Sequence, residues 1–162
     1  MILVGGVAQL YQGDLDLGRL AVGRMAAEDL GPGVLVEELS YGAVAVVQRL
    51  EDLRPEAMVL VAAEARGRTP GSVERREVGP VGLSDAELQL AVGDAVTGYV
   101  TIDLLVEVAV ALGALPATTV AIEVEPASVR PAEELSPAAS DALEHALELV
   151  RAEVMALRAA AD

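Results

Sequence analysis

The chain contains no cysteine, no lysine, no phenylalanine and no tryptophan. Without cysteine there is no disulfide, no thiolate metal site and no cysteine nucleophile, and the composition suits a reducing, cytoplasmic compartment. With aromatics confined to Tyr11, Tyr41 and Tyr99, the core has to be built from Val, Leu, Ala and Ile. Without lysine, all 11 cations are arginines, and 26 acidic residues leave a net charge of −15. Such a chain lacks the basic face that nucleic acid or an anionic membrane surface requires. Histidine is reduced to His145, which lies between Glu144 and Glu148 in a helical pattern and cannot by itself build a usual zinc site. No basic leader precedes the apolar run at the N-terminus, so no signal peptide is expected. The strongly apolar stretch 100–115 is too short to span a bilayer and carries Asp103 and Glu107, so it is expected to be a buried helix.

What is present is an apolar half. With 53% apolar residues in 162, one domain with a substantial core is the expectation, spanning residues 1–162. The first eighteen residues organise it. Ile2, Leu3 and Val4 form a strand-like run that Gly5 and Gly6 break. Asp14 and Asp16 then lead into Leu17, Leu20, Ala21 and Met25 at helical spacing, and 13–30 is expected to be a helix. Gly31-Pro32-Gly33 stops it. A second strand is expected over 34–39, a turn at Ser40-Tyr41-Gly42, and a helix over 43–53 with Val44, Val47 and Leu50 on one face. Residues 57–63 (AMVLVAA) are apolar at every position, as in the centre of a parallel sheet. An edge strand follows over 72–78, with Arg75 and Arg76 exposed to discourage edge pairing. Ser84 caps a short helix through Leu90, and 93–99 is a loop. Thr101 caps a helix ended by Gly113, 118–124 is a strand, and Ser136-Pro137 is a strong helix start. Strands that alternate with helices over connections long enough for crossovers give an α/β fold. It is expected to be a single three-layer domain, with a mainly parallel, twisted sheet of about five strands and helices on both faces.

Strand, glycine turn and helix place Asp14 and Asp16 at the sheet's carboxyl edge, where open α/β sheets carry their sites. The generic nucleotide motifs fail there. Gly5-Gly6 is followed by Ala8 and Gln9 without the third glycine of a dinucleotide fingerprint, and no Gly-Lys-Ser/Thr exists for a phosphate loop. Asp14 and Asp16 are either acids favoured by the helix N-terminus or members of a site.

The order of motifs resembles the nickel-iron hydrogenase maturation proteases, which clip a C-terminal extension from the hydrogenase large subunit once nickel is inserted. The residues that carry the resemblance begin with Ile2 through Gln9 and continue with Gly13-Asp14-Leu15-Asp16-Leu17-Gly18. Further on come Thr69-Pro70-Gly71-Ser72, then Ala121 through Pro126, and Leu135-Ser136-Pro137 before a long helix. The resemblance implies three metal-ligand positions, and here they hold Leu15, Ala63 and Gly98, none a ligand. The glycine-rich turn that would contact substrate is reduced to Ser40, Tyr41 and Gly42. Asp16, Glu64 and Asp103 could stand in only with register shifts, and would form an all-oxygen site suited to harder ions than nickel.

Three readings follow. The first is a degenerate relative with no metal and no other cofactor, acting as a binding or assembly factor for a hydrogenase large subunit or related protein partner. The second is an active endopeptidase using Asp14, Asp16 and Glu64. The third is a small-ligand-binding α/β domain that uses the glycine turn. The Ala/Val-rich composition would also permit a homo-oligomer.

Overall fold

Seven uncharged residues with no exposed position make the central strand. In the computed structural model, which describes residues 1–79, 82–95 and 99–161, β3 (Ala57–Ala63) is buried along its whole length. Beside it run β1 (Ile2–Gly6) and β5 (Thr118–Val124), both parallel to it, and β2 (Val34–Glu38) continues beyond β1, also parallel. The last strand, β4 (Val73–Val78), is antiparallel to β5 and forms the opposite edge, giving the order β2-β1-β3-β5-β4.

Helices α1 (Leu17–Met25) and α5 (Pro137–Ala161) cover one face. Val4, Val59, Val61, Val120 and Ile122 point into that layer, against Leu17, Met25, Ala146, Leu147 and Val150. The other face carries α2 (Ala43–Leu53), α3 (Asp85–Asp94) and α4 (Ile102–Ala111), packed on Leu3, Met58, Leu60 and Ala121. The fold is therefore the expected α/β arrangement, with a five-stranded, mostly parallel sheet and helices on both sides. No described helix is long and apolar enough to cross a membrane.

Where details depart from the expectation, the reasons are local. Residues 13–30 do not form one helix. Gly13–Asp16 is a 3₁₀ turn, and after Met25 the chain tightens into turns with Ala27 N donating to Arg24 O and Glu28 N to Met25 O. Helix α2 buries Ala43, Val46, Val47 and Leu50, leaving Val44 outside. Helix α3 runs four residues past Leu90, to Asp94, held at its start by a full capping box between Ser84 and Glu87. Arg75 and Arg76 are not idle edge charges, because Arg75 pairs with Glu153 on α5 and Arg76 with Glu123 on β5. The Ser136 cap is present, its Oγ accepting from Ala139 N at 3.2 Å.

Candidate functional site

The carboxyl edge is drawn together by glycine. At Gly18 a Cβ would run into the carbonyl oxygens of Val7 and Val61, the latter at 2.8 Å, so only glycine lets α1 start this close to the ends of β1 and β3. That approach lays the 3₁₀ turn over the edge. Val7 N donates to Val61 O at 3.0 Å, and Asp14 N to Ser128 O at 3.0 Å in the connection between β5 and α5.

Asp14 is fully buried. Its Oδ2 accepts from Ala127 N (2.8 Å), Ser128 N (2.9 Å) and Ser136 Oγ (2.8 Å), and its Oδ1 from Ser136 N (2.7 Å). Burial pushes its pKa up, but these donors outweigh it and hold the carboxyl below its ordinary value. Asp16, also buried, is clasped by Arg19 through Nε at 2.8 Å and through Nη2. The same guanidinium lies 5.3 Å from the centroid of the Tyr11 ring, over its face.

Leu15 packs from a half-buried position into the α1–α5 layer, and buried Ala63 belongs to the same cluster. Glu64, one residue on, points the opposite way. Its Oε1 accepts from Ile102 N at 2.8 Å and caps α4 together with Thr101. Burial is the main cause that raises the Glu64 pKa, with Asp103 and Glu123 adding to it against the Ile102 bond and Arg66. Glu64→Gln keeps an acceptor for Ile102 and removes the cost of a buried charge. The sign follows: above the folded pKa the native carboxylate pays desolvation, below it both side chains are neutral. The variant is expected to melt about 2 °C higher at pH 7, the gap closing towards pH 4, as followed by thermal unfolding.

Ser40 Oγ accepts from Ala8 N at 3.0 Å and ties the loop after β2 to that after β1. Tyr41 is 52% exposed beside it, its phenol pushed up by partial burial and by Glu37. Gly42 takes φ +111° at the N-cap of α2, a conformation that favours glycine. Gly98 lies outside the described residues. The structure thus brings Asp14, Leu15, Asp16 and Ala63 to one side of the edge and sets Glu64 on the other. Among the described residues no group of three His, Cys, Asp or Glu side chains is arranged to hold a metal ion.

A further cluster surrounds the carboxylate of β5. Glu123 on β5, fully buried, accepts from Arg66 (Nη2 to Oε1 2.9 Å, Nε to Oε2 3.2 Å), Arg76 (Nε to Oε1 2.7 Å) and Arg68 (Nη1 to Oε2 3.3 Å). Arg66 also forks onto Asp103 of α4 at 2.6 and 2.9 Å. Glu125 accepts from the backbone N–H groups of Arg66 and Gly67. Asp103 and Glu123 hold the Arg66 pKa up. Burial of Glu123 is more than offset by Arg66 and Arg76, so its pKa is lowered. The signal was a lone carboxylate at an inward position of an otherwise uncharged strand core, which demands a cation from somewhere.

Solved structures with this arrangement include a hydrogenase 2 maturation peptidase from Thaumarchaeota archaeon SCGC_AB-539-E09. It is 27% identical over 92% of this chain and 94% of its own, with a TM-score of 0.66. The hydrogenase maturating endopeptidase HybD of E. coli superposes with a TM-score of 0.69 at 21% identity, covering 95% and 91%. The [NiFe] hydrogenase maturation protease HycI from Thermococcus kodakarensis KOD1 gives 0.60 at 20%, covering 94% and 90%. The fold is that of the nickel-iron hydrogenase maturation proteases. No protein-family model and no curated sequence matches the chain, so the likeness to the maturation proteases is carried by the structure. It agrees with the motif order along the sequence, from the glycine turn after β1 to the Ser136-Pro137 start of α5.

Proposed function

We propose that this protein is a metal-independent binding or assembly factor on the maturation-protease fold, taking a hydrogenase large subunit or a related protein partner at the carboxyl edge of its sheet. The observation that carries this is the pairing of Leu15 and Ala63 in one apolar layer, at two of the positions where the resemblance implies metal ligands. Hydrocarbon offers no donor to nickel, and the third position, Gly98, has no side chain. The nearby oxygens are committed elsewhere: four donors occupy Asp14, Arg19 holds Asp16, and Glu64 caps α4. These residues do not fit a nickel ion.

The docking half of the reading is supported by what the same edge exposes. Every aromatic residue of the chain sits there in the open, Tyr11 at 57%, Tyr41 at 52% and Tyr99 at 60%, with Leu10 and Val129. Exposed tyrosines grouped on one edge are what a protein partner uses as anchors. A phosphate ligand on the glycine turn has less support. A Cβ at Gly5 would meet the Leu39 and Leu60 side chains, and one at Gly6 the backbone of Gly18, so the turn is already packed by protein.

The test mixes the purified protein with a precursor large subunit that carries its C-terminal extension. Complex formation without shortening of the precursor in the mass spectrum is expected, along with substoichiometric nickel or zinc after dialysis. Tyr11→Ala and Tyr41→Ala are each expected to weaken the complex about tenfold. Shortening that is lost in Asp16→Asn or Glu64→Gln would establish the endopeptidase instead.

A further inference from the structure

The two edges of the sheet are finished differently. β4 presents Glu74, Arg75, Arg76 and Glu77, and α5 reaches across it through Glu153, so that edge is guarded by charge. β2 reads VLVEE, with no proline and no cation, and its first four residues are half-buried. Its ladder to β1 is bracketed by Ile2 N donating to Gly33 O and Leu39 N to Gly6 O, both at 2.8 Å. Parallel pairing alternates, so residues 33, 35, 37 and 39 face β1. The backbone N–H and C=O groups of Val34, Val36 and Glu38 therefore face outward.

Those same residues put their side chains on the α1 side. There Val34 and Val36 help to line a cavity of 210 Å³ with Met25, Ala26 and Leu30. An edge with free backbone groups beside a pocket for alternate side chains is the geometry of strand addition. Charge selects the occupant. Asp29 lines the same cavity beside Glu28, whose carboxylate Arg151 already holds, Glu38 is exposed at the far end of the strand, and the chain as a whole carries −15. A second copy would bring equal negative charge to this edge, whereas a cationic segment gains on approach.

We propose that the β2 edge binds an extended segment of a protein partner, rich in β-branched and basic residues, as a sixth strand. Its apolar side chains enter the cavity over Val34 and Val36, and its cations meet Asp29 and Glu38. This surface runs along the side of the sheet and meets the carboxyl edge only at Glu38, and the proposal does not rest on the function proposed there.

The probe is an acetylated decapeptide of alternating valine and arginine, with the full chain. Fluorescence anisotropy measures binding, and hydrogen exchange of the complex locates it. At about ten times the Kd, exchange is expected to slow about tenfold at Val34, Val36 and Glu38, with no change along β4. Val36→Pro removes an outward N–H and is tolerated on an edge, so it should keep the melting temperature while weakening the peptide about tenfold. No binding at about 1 mM peptide overturns the proposal. So does protection elsewhere, or equal binding by a valine–glutamate peptide or by a charge-matched peptide interrupted by proline. Protection of these amides without peptide, growing with protein concentration, would give the edge to a second copy and overturn it as well.

Discussion

Replacing Asp14 with alanine is expected to lower the melting temperature by about 10–15 °C. The side chain is fully buried, and its two oxygens take three backbone N–H groups and the Ser136 hydroxyl, all from the connection between β5 and α5. Alanine leaves Ala127, Ser128 and Ser136 N–H groups without their acceptor, at about 1–3 kcal/mol for each donor that stays buried, or about 4 kcal/mol in all after partial rescue by water. Asp14→Asn keeps the shape but turns an amide N–H₂ towards donors, so it is expected to fall between alanine and the native protein. The pH dependence separates a charge effect from a packing one. The Asp14 carboxyl lies below its ordinary value of 3.8 in the folded chain. Its contribution is therefore complete above that ordinary value and is lost as pH falls through the lower folded value. Urea unfolding should show the gap between native protein and Asp14→Asn at full size at pH 6 and shrinking as pH falls below the ordinary value of 3.8. A catalytic Asp14 would leave the melting temperature of the asparagine variant near that of the native protein.

The second large effect concerns Glu123. Glu123→Ala is expected to cost about 2–4 kcal/mol, or about 10 °C. The full cost of breaking a buried pair is reduced because Arg66, Arg68 and Arg76 remain between 25% and 33% exposed and regain water. Glu123 ties β5 to the segment between β3 and β4, and through Arg66 to Asp103 at the start of α4. Its loss should therefore speed amide exchange at residues 64–72 and at the first turn of α4 while α1 and α5 stay protected, which hydrogen exchange can resolve. Because the carboxylate is inside, the native contribution should survive 1 M salt, unlike that of the exposed Arg24–Glu144 pair.

Much of the architecture was legible in the chain itself, and the reasons are visible at particular residues. The seven apolar residues 57–63 could only be a strand buried on both faces. Ser84, Thr101 and Ser136 announced helix starts through chemistry that acts within three or four residues. Alternation along a strand is likewise a local rule, and Ala63 faces the α1–α5 layer while Glu64 caps α4 on the other side. What local rules could not supply were partners far along the chain. Asp14 meets residues more than a hundred positions away, and Glu123 meets arginines 47 to 57 positions away. In sequence both acids stand beside ordinary neighbours, and Asp14 reads equally well as a helix-start acid or as part of a site.

The sequence by itself determined the alternation of strands and helices, the all-aliphatic core, the arginine-only cation set and the residue types at positions 15, 63 and 98. Each of these is set by residue type or by a period of two or 3.6, and none needs to know where the chain folds back. Only the tertiary structure decided what the acids at the edge do, which edge of the sheet is guarded, and that all three tyrosines are exposed. Those outcomes depend on which segments the crossovers bring side by side. A carboxylate takes its role from the donors that reach it, and here they come from another end of the chain.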